Sequence, residues 1–107
     1  MSDPLHTRLV DLLGCRYPIV QTGMGWVSGA NLTAATSAAG GFGILASITM
    51  TDEQFRESVH AVKAKTDAPF GANFRAGQPD LDERISFATS EGVRLFSFAG
   101  APTRDAI

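Results

Sequence analysis

A chain of 107 residues, 44% hydrophobic and 19% charged with a formal net charge of −2, has the composition of one ordinary globular unit. Its cations, Arg56, Lys63, Lys65, Arg75 and Arg84 among them, are interleaved with Glu and Asp rather than clustered, which argues against a nucleic-acid partner. No apolar run approaches the roughly 18 residues of a bilayer span and no charged-then-apolar segment opens the chain, so no membrane partner and a cytoplasmic location are the expectations.

Leu5, Leu9, Leu12 and Leu13 fall on helical spacing and Gly14 follows as a stop, which predicts a short amphipathic opening helix. Cys15 stands alone, so neither an intramolecular disulfide nor a Cys-x-x-Cys metal framework is available. It reads as a half-buried small hydrophobe; Arg16 could lower its pKa, but no histidine lies nearby in sequence to complete a nucleophile. Tyr17 to Gln21 is a nearly continuous apolar run suited to a strand buried on both faces. Ala30 to Ala39 predicts a compact helix stopped by Gly40-Gly41, and Phe42 to Ala46 a second strand.

Thr51 followed by Gln54 is a capping box, with Asp52 and Glu53 suited to the positive end of the helix it opens. Phe55, Val59 and Val62 mark that helix's buried stripe, and Lys63 and Lys65 its C-terminal end. Pro69 ends it before a strand over Phe70 to Phe74. Leu81, Ile85 and Ala88 define the next helix, which Gly92 stops; Val93 to Phe98 is a fourth strand, and Ala99 to Thr103 a further strand-to-helix turn with Thr103 as a candidate cap. Glu53, Glu57, Asp80, Asp82 and Glu83 read as solvated helix-face charges, and none forms an acid/base pair.

Alternation as β-α-β-α-β-α-β implies the α/β class with parallel pairing and right-handed crossovers. Strand starts near 18, 42, 69 and 93 recur at a spacing that, over eight units, needs about 200 residues, close to the lower range of a (β/α)8 barrel. The expectation is the first four β/α units of a TIM barrel over 1–107, without an internal boundary. Its first and fourth strands have open edges through which copies could self-associate.

The segment Gly23-Met-Gly-Trp-Val-Ser-Gly29 joins the first strand to the next helix, and its glycines let main-chain N–H groups approach a ligand. A dinucleotide site would also place an acidic residue at the end of the second strand, where this chain has Leu45-Ala-Ser-Ile48. The strand ends, Gln21-Thr-Gly-Met24, Ala46-Ser47, Ala72-Asn-Phe74 and Ser97-Phe-Ala-Gly100, are polar and almost free of charge. Such a mouth suits a flat, neutral, hydrogen-bonding ring better than a metal or a highly charged substrate. Asn73 can donate and accept to the edge of an isoalloxazine ring, or can simply be a turn residue; Met24 can border the ring or fill core space; Trp26 can face substrate or anchor packing; Ser97 is a further candidate on the flavin face.

Pro18-Ile-Val-Gln-Thr-Gly-Met24, the helix end Ser37-Ala-Ala-Gly-Gly-Phe-Gly43, Thr51-Asp-Glu-Gln-Phe55 and Ala68-Pro-Phe-Gly-Ala-Asn-Phe74 resemble, in order and spacing, the start of the nitronate monooxygenase family, formerly 2-nitropropane dioxygenases. The related FMN-dependent enoyl reductases are similar in the same places. The resemblance implies a flavin-dependent TIM barrel that oxidises alkyl nitronates with dioxygen to a carbonyl compound and nitrite. It further implies that the Gly23 and Met24 backbone lies beside FMN and that Asn73 hydrogen-bonds it. Gly23 stands where many members carry proline, and Trp26 where small residues are frequent. The family's catalytic histidine and phosphate loops belong to the barrel's second half; neither His6 nor His60 matches that histidine, so no catalytic residue is assigned. The alternative expectation is a non-catalytic or self-associating half-barrel without the FMN phosphate site.

Overall fold

The computed structural model describes residues 4–104 and Ile107; the helix that Thr103 would cap runs into positions outside the described residues. Each helix begins and ends where local chemistry directs it. α1 (Arg8–Leu13) starts at Thr7, whose Oγ1 accepts from the Val10 N–H, and stops at Gly14 in the left-handed region, φ 72°. α2 (Ala30–Ala38) closes on Gly40, φ 106°, as the Gly40 and Gly41 N–H groups donate back to Ser37 O and Thr36 O. That is a Schellman closure, and α4 (Leu81–Ser90) repeats it through Gly92 and Val93. α3 (Asp52–Lys65) carries the whole capping box: Gln54 N–H to Thr51 Oγ1 at 3.1 Å and Thr51 N–H to Gln54 Oε1 at 2.9 Å.

The strands β1 (Val20–Gln21), β2 (Phe42–Ala46), β3 (Phe70–Arg75) and β4 (Leu95–Ala99) form one parallel sheet in sequence order. β1 is shorter than the apolar run from Tyr17 suggests. The Arg16 and Tyr17 N–H groups both donate to Gly40 O, Pro18 has none to give, and the Ile19 N–H turns back to Tyr17 O, so pairing begins only at Val20. Burial on both faces also fails there: Ile19 is 62% and Val20 37% exposed because β1 is an edge. β4 starts two residues later than its hydrophobic run, since the Val93 N–H still closes α4 on Ala88 O.

Alternation along the strands separates two layers. Leu45, Ala72 and Phe74 face the helices and pack with Phe55, Val59 and Val62 of α3 and Ala88 of α4. Phe74 sits at the centre of an aromatic group, its ring 5.6 Å from that of Phe55 and 5.4 Å from that of Phe96. A second cluster, Phe42 and Ile44 with Leu13 of α1, fills the other side of the sheet near the strand starts, and Cys15 and Leu95 pack against it. Two glycines make these layers possible. A Cβ at Gly43 would lie 2.4 Å from Thr33 O, so α2 docks on β2 only against a bare backbone; a Cβ at Gly71 would lie 3.0 Å from the Phe42 ring. No helix among the described residues is long and apolar enough to cross a membrane.

Candidate functional site

At the C-terminal ends of the strands the register aligns Ala46, Asn73 and Ser97 across the sheet. Asn73 Nδ2 donates to Ser97 Oγ at 3.0 Å, and the Asn73 backbone carbonyl accepts the Ser47 hydroxyl. Gly23 is pressed on this row: a Cβ there would lie 2.8 Å from Asn73 Cβ. Gly23 is therefore needed for close approach. The structure thus brings Gly23 and Asn73 together, and Met24 follows at the lip, 41% exposed, so it does not fill the core.

The N–H groups of Met24, Trp26, Val27 and Ser28 in the glycine turn are taken up within the protein. Ser28, fully buried, accepts the Met24 N–H at 2.6 Å; the Val27 and Ser28 N–H groups donate to Met24 O, and the Trp26 N–H points to Thr49 Oγ1 at 3.4 Å. Ala46 N–H to Ser28 O then ties the turn to the end of β2. Those four donors are therefore not available to a phosphate. Trp26 lies at φ 60°, 89% exposed; it anchors no packing, and holding a bulky residue there costs about 1–3 kcal/mol.

Two positioning residues escaped the sequence reading. Ser28 is one. The other is Arg84, counted there among scattered cations but only 5% exposed, whose guanidinium donates to Ser47 O, Met50 O and Asp80 Oδ2, each at 2.7 Å. It locks the short 3-10 turn Ser47–Thr49 that carries the Trp26 partner. Its signal was its place between Leu81 and Ala88 on the buried stripe of α4, with Asp80 four residues before it. Partial burial would raise the Asp80 carboxyl, but hydrogen bonds from Gln78 and Arg84 and the arginine's charge outweigh it and hold the group below its ordinary value. Asp80 is thus half of an internal clamp rather than a solvated helix-face charge.

The histidines stay away from the strand ends. His6 is exposed and pairs with Asp11 at 2.9 Å; His60 is exposed, pairs with Glu91 at 3.1 Å and lies edge-on to Phe87. Cys15 is half-buried, with its thiol donating to Tyr17 O at 3.2 Å. Among the described residues, no group of three or more His, Cys, Asp or Glu could hold a metal ion. β3 extends one residue beyond Phe74, so Arg75 adds a cation to a strand end expected to be neutral.

What the site can hold follows from its unused groups. Gln21 donates Nε2 to Ile44 O at 3.1 Å while its Oε1 is buried without a partner, and Asn73 Oδ1 has no hydrogen bond among the described residues. A neutral acceptor, Asn73 Oδ1, beside the bare Gly23 backbone fits the edge of a planar, N–H-bearing heterocycle, and isoalloxazine is such a ring.

A family model described as nitronate monooxygenase matches residues 6–95. The chain is 52% identical over 103 residues to the (3aS,4S,5R,7aS)-5-hydroxy-7a-methyl-1-oxo-octahydro-1H-indene-4-carboxyl-CoA dehydrogenase of Mycobacterium tuberculosis, covering 96% of this chain and 29% of that protein. It is 32% identical over 69 residues to a probable nitronate monooxygenase of Staphylococcus saprophyticus, covering 64% of this chain and 19% of the relative. Among solved structures, FabK from Thermotoga maritima superposes with a TM-score of 0.83 at 38% identity, covering 89% of this chain and 31% of FabK. The chain therefore spans about a third or less of the length of these relatives, and its four units are those of a half-barrel.

Proposed function

The chain belongs to the nitronate monooxygenase family, and from that premise we propose that it forms the flavin-facing ledge of an FMN-dependent oxidoreductase. The observation that carries this reading is the juxtaposition of bare Gly23 with Asn73, whose Oδ1 has no hydrogen bond among the described residues. Bound FMN would supply the redox chemistry. The chain's part is positional: Gly23 leaves room for the Asn73 side chain, Met24 borders the ring, Asn73 accepts from a ring N–H, and Ser97 fixes the Asn73 amide through Nδ2.

For the substrate we favour an alicyclic CoA thioester undergoing dehydrogenation, because the relative named for that reaction shares 52% identity over nearly the whole chain. The second reading, oxidation of alkyl nitronates by dioxygen to a carbonyl compound and nitrite, draws on the family model over residues 6–95. Anaerobic mixing of the flavin-loaded protein with each substrate class separates them, since only the true substrate bleaches the flavin band near about 450 nm, a property of the isoalloxazine itself. Asn73→Ala should weaken FMN binding about tenfold, the effect of losing roughly one good hydrogen bond; unchanged affinity would remove Asn73 from the site. A non-catalytic, self-associating half-barrel is favoured by one observation, the exposure of Ile19 and Val20 along the open edge of β1. A flavin-free chain sedimenting as a dimer would support it.

A further inference from the structure

Beside the ledge, Trp26, Ala46, Thr49, Met50, Gln54 and Ser58 line most of a cavity of about 320 Å³ between the starts of α2 and α3. That is within the range of small-molecule sites. No ionisable side chain lines it. Apolar surface from Trp26, Ala46 and Met50 is interspersed with the hydroxyl and amide groups of Thr49, Ser58 and Gln54. The capping box uses Gln54 Oε1 and leaves Nε2 as a donor. Gly29 opens one wall, where an added Cβ would meet nothing within 4 Å.

Packing does not explain Trp26. It is 89% exposed, and it is the one non-glycine residue with positive φ among the described residues. Thr49 Oγ1 and the Met24–Ser28 hydrogen bonds nevertheless hold its backbone in that sparsely populated region. Strain maintained at an exposed aromatic beside a neutral cavity points to a ligand that the indole covers.

Resting on the reading of the chain as part of a CoA-thioester oxidoreductase, we propose that this cavity holds the pantetheine arm of the substrate, with Trp26 lying against it. The arm is an uncharged chain of methylene and amide groups, which is what an apolar wall with scattered amide and hydroxyl partners recognises. The phosphorylated end of coenzyme A calls for cations that the cavity lacks. The ring-bearing acyl group, whose carbon must reach the flavin, belongs against the open face of the flavin ring held on the ledge.

Trp26 is the single tryptophan of the chain, so its fluorescence reports occupancy directly. Titration with pantetheine should shift its emission to the blue and saturate, whereas an alicyclic carboxylic acid without the arm should leave it unchanged. In the flavin-loaded protein, Trp26→Ala should raise KM for the CoA thioester about tenfold, with most of the loss in KM rather than kcat, and reduce the preference for the CoA thioester over the methyl thioester. Gly29→Val, which adds bulk at a lining residue while keeping Trp26, should reproduce that loss. A pantetheine titration without a saturable change, or a Trp26→Ala enzyme impaired equally on both thioesters, would overturn the assignment. Saturable pantetheine binding by a protein whose flavin no thioester reduces would overturn the oxidoreductase reading and leave the pantetheine site standing.

Discussion

On the helix side of the sheet, Leu45, Ala72 and Phe74 are fully buried against Phe55, Val59 and Val62; on the opposite side, Val20 is 37% exposed and Asn73 Oδ1 has no hydrogen bond among the described residues. The two faces differ because a β/α unit carries its own helix. The outer face is covered by residues a few positions away in sequence, whereas the inner face of a barrel must be closed by strands from all round the circle. The larger buried cluster therefore lies on the outside of the sheet and the proposed flavin ledge on the inside.

Truncating the centre of the outer layer is the severest test of that contrast. Phe74→Ala should cost about 4 kcal/mol in denaturant unfolding, the range for deleting a buried phenyl ring. A cost below about 1 kcal/mol would mean that the outer layer is not where the fold is held. Gly43→Val should lose about 3 kcal/mol, because the new side chain meets the α2 backbone at Thr33 and no rotamer relieves it. Arg84→Met addresses the link between the faces: about 2 kcal/mol should go with the carbonyl partners of Ser47 and Met50, and flavin retention should fall with it if the clamp positions the ledge. The smallest effect is that of pH. Because the folded-state pKa of Asp80 is depressed, its contribution is fully present above the unfolded value of about 3.9 and is lost as pH falls through the folded one. Asp80→Asn should flatten the acid limb of a stability-against-pH curve, and an unchanged limb would show that the clamp does not depend on that charge.

Much of the fold was legible because the signals are local. The Thr51–Gln54 box, the left-handed stops at Gly14, Gly40 and Gly92, and the limits of β2 depend on neighbours within a few residues. β1 was misjudged because Arg16 and Tyr17 spend their N–H groups on Gly40, some two dozen residues away, which hydrophobicity does not record. The site was legible in part: Gly23 and Asn73 were singled out from different strand ends, and they meet. The reason for Gly23 differed, since it is the Asn73 side chain rather than a ligand that takes the space of a Cβ.

Periodicity, caps and glycine stops sufficed to determine four alternating units and a parallel sheet, because hydrogen-bonded helix ends and side-chain alternation act over short stretches of chain. Tertiary structure alone decided that Arg84 is buried, that the buried Ser28 hydroxyl takes the Met24 N–H of the glycine turn and that Trp26 stands exposed in a strained conformation over a neutral cavity. Each of those depends on segments that only folding brings together, where a hydrogen bond or a clash links residues that no local pattern connects.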